Sequence, residues 1–222
     1  MAKLELKGLS KRYGRKQVLQ NIDLSLETGE ILGIFGRNGS GKSTLLKLLF
    51  GTEKSKTTAL KIDGTPFRGS EIIKHQKIAY LPQFSFLPKT KRVWDIIPRF
   101  FEDGNKQDLI FRDPGIDRIS GTKIANLSQG ERRYLELQLI ANLSHPFVLL
   151  DEPYSMVEPL YIGHINRFLT VLKKRKGIIM TDHYYRHVWD LSDTKMVINQ
   201  SKIYEVHTKE DLQRLGYIRS LD

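Results

Sequence analysis

The chain has 222 residues, of which 40% are hydrophobic and 27% charged, enough for one α/β domain with its own core. It contains no cysteine, which excludes disulfide and thiol chemistry, and no apolar run near the roughly 18 residues that cross a bilayer. The 36 basic and 25 acidic residues leave a net charge of +11, which suits nucleic acid, the anionic face of a membrane, or a merely solvated basic surface.

Taken in chain order, residues 1–7 alternate like a strand and lack the apolar stretch of a signal peptide, so the chain is expected to stay where it is made. Strands are predicted at 3–9 and 18–26 with no helix signal between them, which reads as an antiparallel β edge. A strand at 30–35 leads into a helix at 43–50. Further strands are predicted at 59–62, 78–81, 147–151, 177–181 and 195–198, and further helices at 129–142, 160–173, 185–191 and near 209–215. This alternation implies a mainly parallel sheet covered by helices. Between 83 and 127 the pattern changes. Pro82, Pro88, Pro98 and Pro114 divide the stretch into short pieces, and Phe84, Phe86, Trp94, Phe100, Phe101 and Phe111 cluster there. We read a short helical subdomain (84–144) inserted into an α/β core (1–83 and 145–222). The basic run from Lys173 to Lys176 follows a helix, whose C-terminus favours such charges locally.

The most specific signal is the octet Gly36-Arg37-Asn38-Gly39-Ser40-Gly41-Lys42-Ser43, followed by Thr44. It fits the pattern Gly-x-x-x-x-Gly-Lys-Ser/Thr and lies between a predicted strand and a predicted helix, the setting of a phosphate-binding loop. Glycines let backbone N–H groups crowd around a polyphosphate, and the helix N-terminus adds free donors and a positive dipole end. Lys42 would meet the β- and γ-phosphates, and the Ser43 hydroxyl would ligate Mg²⁺. A second signal is the apolar stretch Phe147–Leu150, which ends in Asp151-Glu152. At the C-terminal end of a parallel strand, Asp151 would hold Mg²⁺ through water and Glu152 would orient or deprotonate an attacking water.

Leu127-Ser128-Gln129-Gly130-Glu131, at the start of a predicted helix, completes a set that resembles the ATP-binding cassette family. The family's Leu-Ser-Gly-Gly-Gln frame is kept, with Gln129 and Glu131 departing from it. The resemblance runs almost end to end. It implies a P-loop NTPase (RecA-like) core, with Tyr13 stacking on adenine, Gln83 sensing Mg²⁺ and the partner, and His183 contacting the γ-phosphate. Residues 155–158 match the family's Ser-Ala-Leu-Asp, with Glu158 in place of aspartate. The resemblance further implies a head-to-tail homodimer or heterodimer of cassettes in which Ser128 and the Gly130 N–H face the other subunit's γ-phosphate. As a single cassette, the chain resembles the ATPase subunits of membrane transporters. Such a subunit would be cytoplasmic, peripheral on the inner membrane face, and docked to a transmembrane permease near Gln83–Pro88. The stretches 150–159 and 181–183 are similar to ATPases of lipopolysaccharide export and branched-chain amino-acid import. A soluble cassette that remodels an iron–sulfur scaffold or a nucleic-acid complex, and a degenerate module with little turnover, are the alternatives. Nucleic acid is the less expected partner, because neither a central coiled coil nor a second cassette is present.

Overall fold

The computed structural model describes residues 1–55 and 57–218. Two strands open the chain, β1 (Lys3–Tyr13) and β2 (Lys16–Glu27), paired antiparallel. Their buried residues do not keep a strict period of two. Leu4 and Leu6 are followed by Leu9, and Leu19 is followed by Ile22, Leu24 and Leu26. The offset is absorbed by a bulge, with Gly8 and Asn21 both at positive φ (62° and 49°) and register shifts on either side of Leu9. The predicted antiparallel pair is therefore present. It is joined by β4 (Thr57–Ile62) and β5 (Thr65–Phe67) in a sheet of its own, ordered β2-β1-β4-β5.

The second sheet is built from β3 (Ile31–Phe35), β6 (Ile78–Leu81), β7 (Phe147–Asp151), β8 (Gly177–Thr181), β9 (Thr194–Asn199) and β10 (Lys202–Glu205). Its order is β10-β9-β3-β8-β7-β6, and every pairing is parallel except that of the edge strand β10. β3, β7 and β8 are buried along their whole length, as strands covered on both faces must be. One face packs against α1 (Lys42–Phe50), whose Leu45, Leu46, Leu48 and Leu49 lie between the two sheets. The other face is covered by α6 (Gln129–Ala141), α7 (Pro159–Lys173), α8 (Tyr185–Leu191) and the short α9 (Lys209–Arg214).

The segment between β6 and β7 is helical, as its composition suggested. It holds α3 (Val93–Phe100), α4 (Gly104–Phe111), α5 (Pro114–Asp117) and then α6. Its prolines do not all act as breaks. Pro98 sits inside α3, whereas Pro114 begins α5 behind the N-cap Asp113, where no N–H is required. A short helix α2 (Glu71–Lys74) precedes β6. Among the described residues, no helix is long and apolar enough to cross a membrane.

The basic run after α7 does structural work at two of its positions. Lys173 pairs with Asp193 at 2.8 Å. Lys176 is buried, and its ammonium donates to the carbonyls of Leu143 and His145, the latter at 2.5 Å, tying β8 to the loop before β7. Burial pushes the Lys176 ammonium down to about 8. The unfolded chain keeps that proton to near the ordinary lysine value, so between these limits the unfolded state binds more protons and stability rises with pH. We predict that urea unfolding from pH 7.5 to 9.5 shows wild type gaining on Lys176→Met by roughly 1 kcal/mol per pH unit above pH 8. A constant difference across that range would contradict this placement of the ammonium.

Candidate functional site

The order of the second sheet decides which chain segments meet. β3 lies beside β8, and β8 beside β7, all parallel, so their C-terminal ends emerge together. The loop after β3 therefore stands next to Asp151-Glu152 and Thr181-Asp182-His183. Asp151 and Thr181 are direct neighbours in the register, and the Thr181 hydroxyl donates to Asp151 Oδ1 at 3.1 Å.

The loop from Gly36 to Gly41 is held in a shape that needs glycine at defined points. Gly36 has φ 155°, and a Cβ there would stand 2.5 Å from Ser40 Oγ and 2.9 Å from the Ile198 carbonyl. Gly41, with φ 109°, is the N-cap of α1, and a Cβ would press on Val18 and Leu19. Lys42 is buried, and its ammonium donates to the Gly36 carbonyl at 2.6 Å. Burial lowers its proton affinity, while the charges of Glu152, Asp151 and Asp182 oppose that effect. One cation thus stands in the field of three carboxylates.

The carboxylate pair is anchored from several sides. Asp151 Oδ1 also accepts from Ser43 Oγ at 3.1 Å, and Oδ2 accepts from the Tyr80 hydroxyl at 3.0 Å. Burial, reinforced by Asp151, pushes the Tyr80 hydroxyl well above its ordinary value and keeps it a donor. Glu152 takes a left-handed backbone conformation, φ 58°, unusual for a residue with a side chain. Its carboxylate is buried, yet it meets two predicted residues. His183 Nε2 lies 2.8 Å from Oε1, and Gln83 Nε2 donates to Oε2 at 3.0 Å. Asp182 accepts the N–H groups of Tyr154 and Tyr184 at 2.8 and 2.9 Å, joining the chain beyond Glu152 to the chain beyond β8. Its burial holds that carboxyl above the usual range.

Behind this pair is a residue that sequence reading did not single out. Arg133, in α6, is 5% exposed. It donates to the carbonyls of Pro82 (2.7 Å), Glu152 (3.1 and 3.2 Å) and Asp151. Its ion partner is Glu136, at 3.5 Å and also buried. Glu136 Oε1 in turn accepts from Ser85 Oγ at 2.5 Å and from the Phe86 N–H at 3.3 Å. A buried guanidinium thus joins α6, the end of β7 and the segment after β6. The visible signal was a charged pair at i, i+3 on a helix otherwise rich in leucine, a position where unpaired charges are rare.

Together these segments enclose a cleft of about 350 Å³, lined by Tyr13, Val18, residues 38–44, Gln83, Glu152 and His183. Gly36 and Arg37 face a smaller neighbouring hollow, and Asp151 lies beneath, bonded to Ser43. Tyr13, at the end of β1, is 47% exposed. The predicted signature stands apart from this cleft, at the N-terminus of α6. Ser128 and Glu131 form a reciprocal cap there: Ser128 N–H donates to Glu131 Oε2 at 2.9 Å, and Glu131 N–H to Ser128 Oγ at 3.2 Å. Gln129 is exposed, while Gly130 is buried against the backbone at 156–158, where a Cβ would approach the Glu158 nitrogen to 3.2 Å. Glu158 is the N-cap position of α7.

The oxygens that converge here are hard ones, Ser43 Oγ in the first turn of α1 and the Asp151 carboxylate at the end of β7, 3.1 Å apart. That set suits Mg²⁺, which takes one or two protein oxygens and completes its shell with phosphate and water. Gln83 is close by through Glu152.

A family model described as ABC transporter matches residues 19–155, more than half of the chain. The chain belongs to that family. Among its relatives, the lipopolysaccharide export system ATP-binding protein LptB of Haemophilus influenzae is 27% identical over 96% of this chain and 93% of that protein. LptB of Escherichia coli K12 is 26% identical over 99% and 96%. The spermidine/putrescine import ATP-binding protein PotA of Mesoplasma florum is 26% identical over 94% of this chain and 62% of that protein. The fold agrees with that of the ATP-binding subunit of an ABC transporter (TM-score 0.82, 21% identity, covering 96% and 93%). It also agrees with part of a bacterial Atm1-family ABC exporter solved with ATP bound (TM-score 0.82, 21% identity, covering 96% of this chain and 40% of that chain).

Removing the Arg133 charge leaves Glu136 buried without its cation, which costs about 3 kcal/mol or more. We predict that Arg133→Met lowers unfolding stability by that amount. The Arg133→Met/Glu136→Leu double variant should lose less than the sum of the single variants, by about 1–3 kcal/mol in a denaturant double-mutant cycle. Additive losses would show that the two side chains act independently.

Proposed function

We propose that this protein is the ATP-hydrolysing subunit of an ABC transporter, coupled to a separate transmembrane subunit. One observation carries the reading. The glycine loop with Lys42 and Ser43, the buried Glu152 with His183 and Gln83 on its two oxygens, and the aromatic wall of Tyr13 all surround one cleft. Phosphoryl transfer needs this kind of positioning and charge neutralisation more than it needs covalent chemistry. Residues 36–44 hold the phosphates, Tyr13 stacks on the base, and Ser43, Asp151 and Gln83 attend Mg²⁺, which neutralises phosphate charge. Glu152 orients the attacking water and accepts its proton, and His183 contacts the γ-phosphate.

The signature residues Ser128, Gln129, Gly130 and Glu131 stand outside the chain's own cleft. In the proposed head-to-tail dimer, homomeric or with a second cassette, they complete the partner's cleft, with the N-terminus of α6 directed at the γ-phosphate. ATP closes the pair, and hydrolysis reopens it. In the same reading, residues 84–144 form the signature-bearing subdomain over a core of 1–83 and 145–222.

Transmembrane docking is supported by the surface beside Gln83. Phe84 is 79% exposed and Phe86 39%. Phe84 lines a hollow of about 180 Å³ together with Gln129, Arg132 and Met156. An apolar helix end seated there would cover aromatics that water now faces. Its contacts would reach Glu152 through Ser85, Glu136 and Arg133. The subunit would then work in the cytoplasm, peripheral on the inner face of the cell membrane. The relatives' roles in lipopolysaccharide export and polyamine import lie on both sides of the import–export divide.

We expect Glu152→Gln to lower steady-state ATPase turnover by about 10²-fold or more while ATP binding persists. With saturating Mg-ATP, light scattering coupled to size exclusion should find that variant dimeric. Turnover at the wild-type rate, or a strictly monomeric variant, would overturn the assignment.

A further inference from the structure

The nucleotide reading, on which this inference rests, requires the Tyr13 ring to be held in place. Tyr13 ends β1 and is half exposed, a poor footing for a stacking platform. Two residues earlier, on the same face of the strand, the Lys11 ammonium stands 4.7 Å from the Tyr13 ring centroid. Lys11 is itself pinned. Its ammonium donates to Glu53 Oε2 at 2.8 Å and to the Lys54 carbonyl at 2.8 Å. The Lys11 side chain is only 13% exposed, which is unusual for lysine. The hydrogen bond from Lys11 is the largest influence holding the Glu53 carboxyl below the ordinary carboxylate range, and Tyr13 adds to it.

Glu53 is not a free surface acid. Its N–H donates to the Lys47 carbonyl at 3.2 Å, so it is fixed to the last turn of α1. That helix begins with Lys42 and Ser43. The clip therefore ties the aromatic wall to the element that carries the phosphate loop. Lys11 is not among the residues lining the cleft, whereas Tyr13 is. An ammonium over one face of the ring leaves the other face for a ligand.

We infer that Lys11 and Glu53 are positioning residues for the nucleobase: they brace Tyr13 from behind so that its open face receives a purine. A cation behind the ring draws π density away from the face in the cleft, which lessens π–π repulsion with a stacked base. The Lys11–Glu53 pair is neutral as a unit, so it contributes little to the field felt by the phosphates. The clip should therefore matter for a nucleotide and not for a bare polyphosphate.

The test compares ATP with inorganic tripolyphosphate, each with Mg²⁺, by calorimetric titration of the full chain. Lys11→Met/Glu53→Gln keeps the apolar stem, removes the cation and leaves the net charge of the pair at zero. It should weaken ATP binding by about three- to tenfold and change tripolyphosphate binding by less than twofold. In a Tyr13→Ala background the same pair of substitutions should have no further effect on ATP. Glu53→Gln alone, which keeps the Lys54 carbonyl contact, should act in the same direction more weakly and serves if the double variant folds poorly. Equal losses for both ligands would indicate a general structural role and overturn the proposal, as would unchanged ATP affinity. A wild-type chain that binds tripolyphosphate but shows no preference for ATP would overturn the nucleotide reading itself, a result distinct from either.

Discussion

The arrangement of the site depends on one buried cation. The Arg133 guanidinium engages the carbonyls of Pro82, Asp151 and Glu152, which are the last residue of β7 and the first loop positions after β6 and β7. Carbonyls at such strand ends have left the sheet ladder and need donors. A planar fork with five N–H groups can serve three carbonyls and a carboxylate at once, more acceptors than the three N–H groups of a lysine can. Burying that charge is unfavourable in itself, and Glu136 with the carbonyls only offsets the cost. Its value lies in selecting one geometry: α6 can sit over the sheet in the position where all these bonds form together.

The same residues present their side chains to the opposite side. The Glu152 carbonyl accepts from Arg133, while its carboxylate meets Gln83 and His183. That division requires a sharp local turn, and the left-handed φ of 58° supplies it. The backbone strain at Glu152 is thus held by bonds on both faces, one set structural and the other lining the cleft. Asp151 is fixed similarly by Ser43, Tyr80 and Thr181. Carboxylates fixed in this way would lose little further conformational freedom on binding a ligand, which would favour the proposed hydrolysis by preorganised charge.

Local chemistry made part of this legible in the sequence. The glycine octet and the Asp151-Glu152 pair are contiguous, and their spacing requires a strand before each. The parallel strands could be read because β3, β7 and β8 are unbroken apolar runs. The rest depends on contacts between distant segments. The bulge at Gly8 and Asn21 arises from pairing across the hairpin, which no single-strand period reveals. The separate sheet containing β4 and β5 needs the knowledge that β4 pairs with β1, some fifty residues earlier. Pro98 misled as a breaker because α3 has only eight residues, so the missing N–H forfeits a single bond, the one to the Trp94 carbonyl. Arg133 and Glu136 passed as ordinary members of a charged helix, since burial is a property of what packs above them.

The departures from the family's signature acquire a physical meaning in this context. Glu131 brings a charge to the turn that, in the proposed dimer, faces another subunit's γ-phosphate, and on charge alone it should repel. In the chain, however, one of its oxygens accepts the Ser128 N–H, and the other lies 3.4 Å from Arg118, which also bonds the Tyr161 hydroxyl. A carboxylate at the third helical position interacts favourably with the helix dipole, so the charge strengthens the cap that orients Ser128. Gly130 faces a constraint of its own, because the backbone at 156–158 lies against it whether or not a partner is present. Its small size is thus favoured within one chain, and the seam of the proposed dimer would inherit a surface already shaped by that packing. Gln129, exposed and free of such packing, is the departure whose effect falls entirely on whatever approaches the N-terminus of α6.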